Sequence, residues 1–341
     1  MIPYGQNKVE GESNMNKRFF GKAIALLLVL TTCFGLGCAK KDDARKIAGY
    51  TLEPSEGTYS YVIHTPHATW HLAAADIELL GEEEFFNGLE KILENQEADF
   101  EDAIAVLDGY IKEEIPVIDV YTDLAAQTER AKWNNAGAFY MPDRGIYLYY
   151  GWAMAGFSLL HEYAHYLTYA CCTFKLTSGG GFWAEAIAEY VSKISCRNRM
   201  ACGVGAFLSD EDLAEAEKRG ILDADGTLNM KKYYCYTAAF MRSGAALGVK
   251  YSAVSETLIT LSERLVEHPM LTTISYFEAG SFFTWLVERY GKELVFANMT
   301  IGQEGFADVF GKDFEPLFFE WAADNDAWCI ENGIVLGPLE E

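Results

Sequence analysis

Residues 157–167, FSLLHEYAHYL, set His161, Glu162 and His165 inside an otherwise apolar run. Trp152, Met154, Phe157, Leu159, Leu160, Ala164 and Leu167 place apolar side chains nearly all round the helix that this run predicts, and a helix apolar on every side is a buried one. Buried polar groups are costly without partners. The spacing offers a shared partner, because residues i and i+4 lie on one face about a turn apart and both imidazoles can reach the same point. A metal ion there would satisfy the whole set, whereas a hydrogen-bond network would need separate solutions for His161, Glu162 and His165.

A hydrolytic zinc site takes three protein ligands and keeps a fourth position for water. The third candidate is Glu185 in FWAEAIAEYVSKI, which follows the glycine-rich turn at 177–181. That turn ends the first helix and lets a second lie antiparallel beside it. Ala184, Ala186 and Ala188 flank the acids, and small residues let helices approach closely. The opposing reading stays open at this stage: Trp183, Ile187, Tyr190, Val191 and Ile194 form one apolar stripe, with Glu185 and Glu189 roughly opposite it as solvated glutamates would be.

HExxH followed by Glu185, with Trp183, Ala188, Glu189 and Tyr190 around it, resembles the gluzincin metallopeptidases, the thermolysin-like group, and especially its smaller bacterial members. The resemblance covers about residues 115–330. It implies a zincin-like catalytic domain, His161, His165 and Glu185 as zinc ligands, and Glu162 as general base. It also implies Glu189 as the acid that orients a ligand histidine. The family usually has Gly after the third ligand, where this chain has Ala186. AGAFYMPDRGIYLYY is similar to the edge strand and hairpin on which such enzymes lay out peptides, so Ala138 and Phe139 are expected to pair with substrate by strand addition. ISYFEAGSFFTWLVERYG is similar to their downstream helix, which makes Tyr276 the first candidate for the oxyanion-stabilising donor; packing is the alternative for this tyrosine, and His268 and Tyr140 are reserves.

The chain as a whole predicts an α+β fold. The segment 59–64, in and beside TYSYVI, alternates like a strand, residues 76–114 have a helical period, and IPVIDVYT, GAFYM and IYLYY read as strands around a PDRG turn. From Gly151 onward the pattern is helical. The expected organisation is a signal segment at 1–37, a tether at 38–58 and one catalytic unit at 59–341, divided into an α/β part to 150, the metal-binding helices at 151–199 and a helical part from 200.

Lys17, Arg18 and Lys22 ahead of the uncharged apolar run 23–37 have the form of a secretory signal. FGLGC resembles a bacterial lipoprotein signal, with Cys38 as the lipidated residue, although such signals usually carry Leu where Gly35 stands. An exported protein, lipid-anchored in a bacterial cell envelope, is therefore expected, with a plain signal peptide or an uncleaved anchor as alternatives. The formal charge of −23 argues against nucleic acid as a partner, since no basic stripe is present to release counterions.

Beyond Cys33 and Cys38 the cysteines are Cys171, Cys172, Cys196, Cys202, Cys235 and Cys329, with no CxxC pair; buried thiols with one or two bridges are expected, and the pairing is not set. His64, His67 and His71 could form a second metal site, but Pro66 breaks their spacing and separate hydrogen bonds are favoured. DADGTLN at 223–229 reads as a surface turn, because Gly226 comes too early for a calcium loop. Ser209 is expected to cap a helix. Together these features predict a zinc-dependent peptidase acting on peptide or protein substrates, with an inactive binding lipoprotein of the same fold as the alternative.

Overall fold

The computed structural model describes residues 45–112, 114–124, 137–149, 151–176, 181–196, 210–242, 269–337 and 339. The signal segment, Cys38, the glycine turn at 177–180, Cys202, Ser209 and His268 lie outside the described residues.

The fold is α+β. A six-stranded mixed sheet has the order β3-β4-β5-β6-β8-β7, from β3 (Glu53–Pro54), β4 (Tyr59–His64), β5 (Ala68–Ala73), β6 (Ile118–Thr122), β7 (Ala138–Met141) and β8 (Gly145–Leu148). β5, β6 and β8 run parallel, while β7 turns back antiparallel to β8 and forms one edge of the sheet. Parallel neighbours need a crossover. Between β5 and β6 it contains α1 (Ala74–Leu80) and α2 (Glu82–Val106).

Alternation decides which face of the sheet is covered. Trp70, Leu72, Ile118, Val120, Ile146 and Leu148 are buried on one face and share a core with Phe85, Phe86, Leu89, Leu93 and Phe100 of α2. Each such side chain contributes about 1.5–3 kcal/mol of burial. The indole N–H of Trp70 donates to Gln96 Oε1 at 2.6 Å, which satisfies a polar group where sheet meets helix. On the other face His71, Tyr121 and Tyr147 stack in a row across three strands, at centroid spacings of 4.6 and 4.8 Å.

The β7–β8 turn forms at PDRG as expected, with the N–H of Arg144 donating to the Met141 carbonyl at 3.1 Å. Gly145 is required there. Its φ is +110°, and a Cβ would stand 2.3 Å from the Asp119 carbonyl oxygen.

Two expectations need correction. The tether does not extend to 58: β1 (Lys46–Ile47) and β2 (Tyr50–Thr51) form a hairpin, β3 joins the sheet, and Ile47 and Leu52 are buried. The cause is local, since apolar residues resume at Ile47 and Ala48-Gly49 takes positive φ at both central positions, the turn that suits a two-residue hairpin. The helical stretch expected over 76–114 is two helices, broken at Gly81 with φ of +82° and ending at Val106. The strand over 68–73 also went unanticipated; in it Ala68, Trp70 and Leu72 alternate toward the core between the histidines.

The second half is helical: α3 (Gly151–Tyr166), α4 (Phe182–Glu189), α5 (Asp210–Lys218), α6 (Met230–Arg242), α7 (Pro269–Tyr290), α8 (Lys292–Ala297), α9 (Phe306–Phe310) and α10 (Phe314–Glu331). Five-residue π turns, Leu167–Cys171 and Tyr190–Ile194, continue α3 and α4. The aromatic core runs on through Trp183, Phe282, Phe283, Phe306, Phe318 and Trp321, and Trp183 Nε1 donates to the Ile301 carbonyl at 2.8 Å. Among the described residues no helix is long and apolar enough to cross a membrane.

Candidate metal centre

α3 and α4 pack against each other and are rich in small buried side chains. Ala164 on one and Ala184, Ala186 and Ala188 on the other are fully buried, so the helices approach closely enough for their polar residues to touch. His161, Glu162 and His165 are buried on α3, and Glu185 and Glu189 are buried on α4. The solvated-face alternative for the two glutamates therefore does not hold: α4 is buried all round.

Three donors converge. His161 Nε2 and His165 Nε2 each lie 3.2 Å from Glu185 Oε2, and the imidazoles meet edge to face with centroids 4.6 Å apart. This buried group can hold a metal ion. Its geometry suits a small one, because ligands at about 2.0–2.2 Å in a tetrahedral shell stand about 3.3 Å from one another. Two imidazoles and a carboxylate are also a donor set that zinc accepts.

Glu189 lies directly behind His161. Its Oε1 is 2.7 Å from His161 Nδ1 and 3.7 Å from Lys193 Nζ, and its Oε2 accepts the Tyr234 hydroxyl. With Nδ1 turned to Glu189, Nε2 faces Glu185. A ligand histidine is fixed in this way by the group its other nitrogen touches.

The electrostatics are those of a cation site. Burial opposes a charged His161, but Glu189, Glu185 and Glu162 outweigh it and raise the imidazole to about 10. Burial likewise opposes a charged Glu185, yet His165 and His161 pull its pKa well below the ordinary carboxylate value. Tyr276 places its ring edge on against His161, at 5.7 Å between centroids. Glu185 first, then burial, Glu162 and Glu189, push its phenol far up, so the hydroxyl keeps its proton and bonds to Glu185 as a donor.

Glu162 faces the sheet edge. Its Oε2 accepts the backbone N–H of Tyr140 at 2.7 Å. Ala138 and Phe139 precede Tyr140 on β7, with Phe139 paired to Tyr147 and Ala138 to Leu148. The Tyr140 ring packs toward Tyr166, and burial, aided by Cys171 and Asp143, raises its phenol to about 12.

The remaining candidates stand apart from this centre. His64 contacts Thr69, His67 contacts Glu97 and His71 contacts Asp119, three separate partners with no common point. Cys171, Cys172, Cys196, Cys235 and Cys329 are buried, and no disulfide joins any two of them among the described residues. DADGTLN is a turn closed by Asn229 Nδ2 on Asp223 Oδ1 at 2.7 Å and by the Leu222–Leu228 bridge.

Sequence reasoning missed Tyr234 and Lys193. The lysine carried a signal, since it follows Glu189 by one helical turn inside an apolar stretch. Tyr234 carried none, being 45 residues from Glu189 along the chain.

Compared with protein-family models, with curated proteins and with solved structures, the chain matches none.

Proposed function

We propose that this chain is a zinc-dependent peptidase of the gluzincin kind, acting as an endopeptidase. The observation that carries the proposal is the meeting of three features in one place. His161, His165 and Glu185 converge at 3.2 Å, Glu162 stands beside them, and the edge strand β7 touches Glu162 through the Tyr140 amide. The mixed α+β fold is compatible with a zincin-like domain.

Zinc held by His161, His165 and Glu185 would lower the pKa of water toward about 7 and polarise a peptide carbonyl. Glu162 serves as the base that takes a proton from the attacking water and returns it to the leaving amine. Tyr276 supplies a hydroxyl where negative charge develops on the carbonyl oxygen. A peptide pairs with β7 by strand addition, which aligns its backbone beside Glu162. An N-terminal signal with lipidation at Cys38 would present the enzyme on a bacterial envelope.

The test is zinc content by elemental analysis of the full chain and of Glu185→Ala, followed by cleavage of denatured-protein and peptide mixtures with and without chelator. About one zinc per chain, lost in the variant, with chelator-sensitive cleavage is the expected result. Absence of zinc after reconstitution would leave a buried hydrogen-bond set. Zinc without cleavage would leave a binding lipoprotein with a structural metal.

A further inference from the structure

Behind His161 lies a second layer that the proposed chemistry does not use directly. The Glu189 carboxylate meets groups from three elements: His161 of α3, Tyr234 of α6, and Lys193 of the π turn that continues α4. Lys193 and Tyr234 are among the largest fully buried side chains of the described residues, at 1% and 2% exposure. A buried ammonium is expensive unless paired, so the fold commits real stability to placing one within 3.7 Å of Glu189.

The contacts divide between the two carboxylate oxygens. Oε1 faces His161 Nδ1 and Lys193, while Oε2 takes the Tyr234 hydroxyl. A carboxylate with partners at both oxygens is restrained about its last bond, and the imidazole whose Nδ1 lies 2.7 Å from Oε1 is restrained with it. The clamp is itself held from outside. Phe277 of α7 packs on the Tyr234 ring at 4.8 Å, and one turn on, a Cβ at Gly280 would stand 3.1 Å from both that ring and Glu189 Cβ. Glycine at 280 leaves room for α7 to pack against the pair without a shift of either side chain.

Resting on the metal reading of the site, we propose that Tyr234 and Lys193 are positioning residues of the metal centre: through Glu189 they hold His161 with Nε2 turned toward the metal position. Their effect is on how tightly and in what geometry the ion is held, and partners of this kind typically change metal affinity by about 10–100-fold.

The experiment measures zinc affinity of the full chain by competition with a chromophoric chelator, for the unaltered protein, Tyr234→Phe, Lys193→Met and Tyr233→Phe. Visible spectra of the cobalt-substituted forms are recorded alongside, and circular dichroism of the metal-free forms checks that each variant is folded. Tyr234→Phe and Lys193→Met are expected to weaken zinc by about 10–100-fold and to shift the cobalt bands, with Tyr233→Phe unchanged. Tight binding by the unaltered protein, with both clamp variants within about twofold of it and the same cobalt spectrum, would overturn the positioning role and leave the metal site standing. Failure of the unaltered protein to bind zinc would overturn the metal reading itself. Should Lys193→Met not fold, Tyr234→Phe decides alone, since it removes one hydroxyl and keeps the ring.

Discussion

The backbone N–H of Tyr140 donates to Glu162 Oε2 at 2.7 Å, which ties the outermost strand of the sheet to the helix that carries His161 and His165. The bond fixes the spacing between the edge strand β7 and the Glu162 carboxylate. It also shows which way the strand faces. The Tyr140 amide points to α3 rather than to β8, and by the two-residue period of a strand the Ala138 amide points the same way.

Glu162→Gln keeps an oxygen for the Tyr140 amide and removes the basic carboxylate. Peptide hydrolysis should fall by about 10²–10⁴-fold, the usual worth of a positioned base, with zinc content unchanged. Turnover of a cleaved reporter peptide, set beside elemental analysis, checks this; a fully active variant would sink the mechanism.

Glu185→Ala removes a donor that both histidines share. Losing a ligand outweighs losing an outer partner, so zinc affinity should drop by more than about 100-fold. Titration with a competing chelator reads the change. In the unaltered protein, chelation should abolish cleavage and added zinc should restore it.

Tyr276→Phe deletes the hydroxyl beside Glu185 and leaves the ring against His161. If that hydroxyl stabilises the oxyanion, kcat should fall by about 10²–10³-fold while KM and zinc content stay near their original values. Steady-state kinetics with unaltered kcat would return Tyr276 to a packing role.

Asp99 gives a pH prediction that does not involve the candidate donors. It is buried on α2 with Cys196 Sγ 3.7 Å from its Oδ1, and burial, followed by Cys196 and Asp102, raises it to about 9 from 3.8. A carboxyl raised on folding holds a proton that the unfolded chain has already released. Its effect is therefore absent below the unfolded value, and stability falls as pH rises through the window up to the folded value. Asp99→Asn removes the titration, so the variant should gain stability over the parent as pH rises from 5 to 8, by at least about 1 kcal/mol at pH 7. Urea unfolding at several pH values measures the gap; a gap constant with pH would refute the assignment.

The parts of the site legible in the sequence are those set by local period. The spacing of His161 to His165 is one helical turn, and Glu185 and Glu189 repeat that spacing on the next helix, so a single reversal of the chain brings all four together. Tyr234 reaches Glu189 from 45 positions along the chain, with Gly280 of α7 packed against both, and no local pattern encodes that approach. The misplaced boundary at the tether has a long-range cause beside its local one. Arg45 pairs with Glu82 and lies over the Phe86 ring, so a charged residue that reads as linker is anchored by partners 37 and 41 positions away. At 68–73 the histidines masked a simple alternation of Ala68, Trp70 and Leu72 toward the core.

The two π turns have a consequence for how this region tolerates change. Each follows directly on a helix that brings donors to the centre, Leu167–Cys171 after His165 and Tyr190–Ile194 after Glu185. A π turn closes its hydrogen bonds over one residue more than an α turn, so it acts as a phase shifter, offsetting everything downstream by about 100° relative to an unbroken helix. Deleting one residue from the second turn would remove the bulge and leave the residues beyond it close to their present azimuth, because the lost residue cancels the offset. In this part of the chain, angular register is as much a property of the centre as the identity of its side chains.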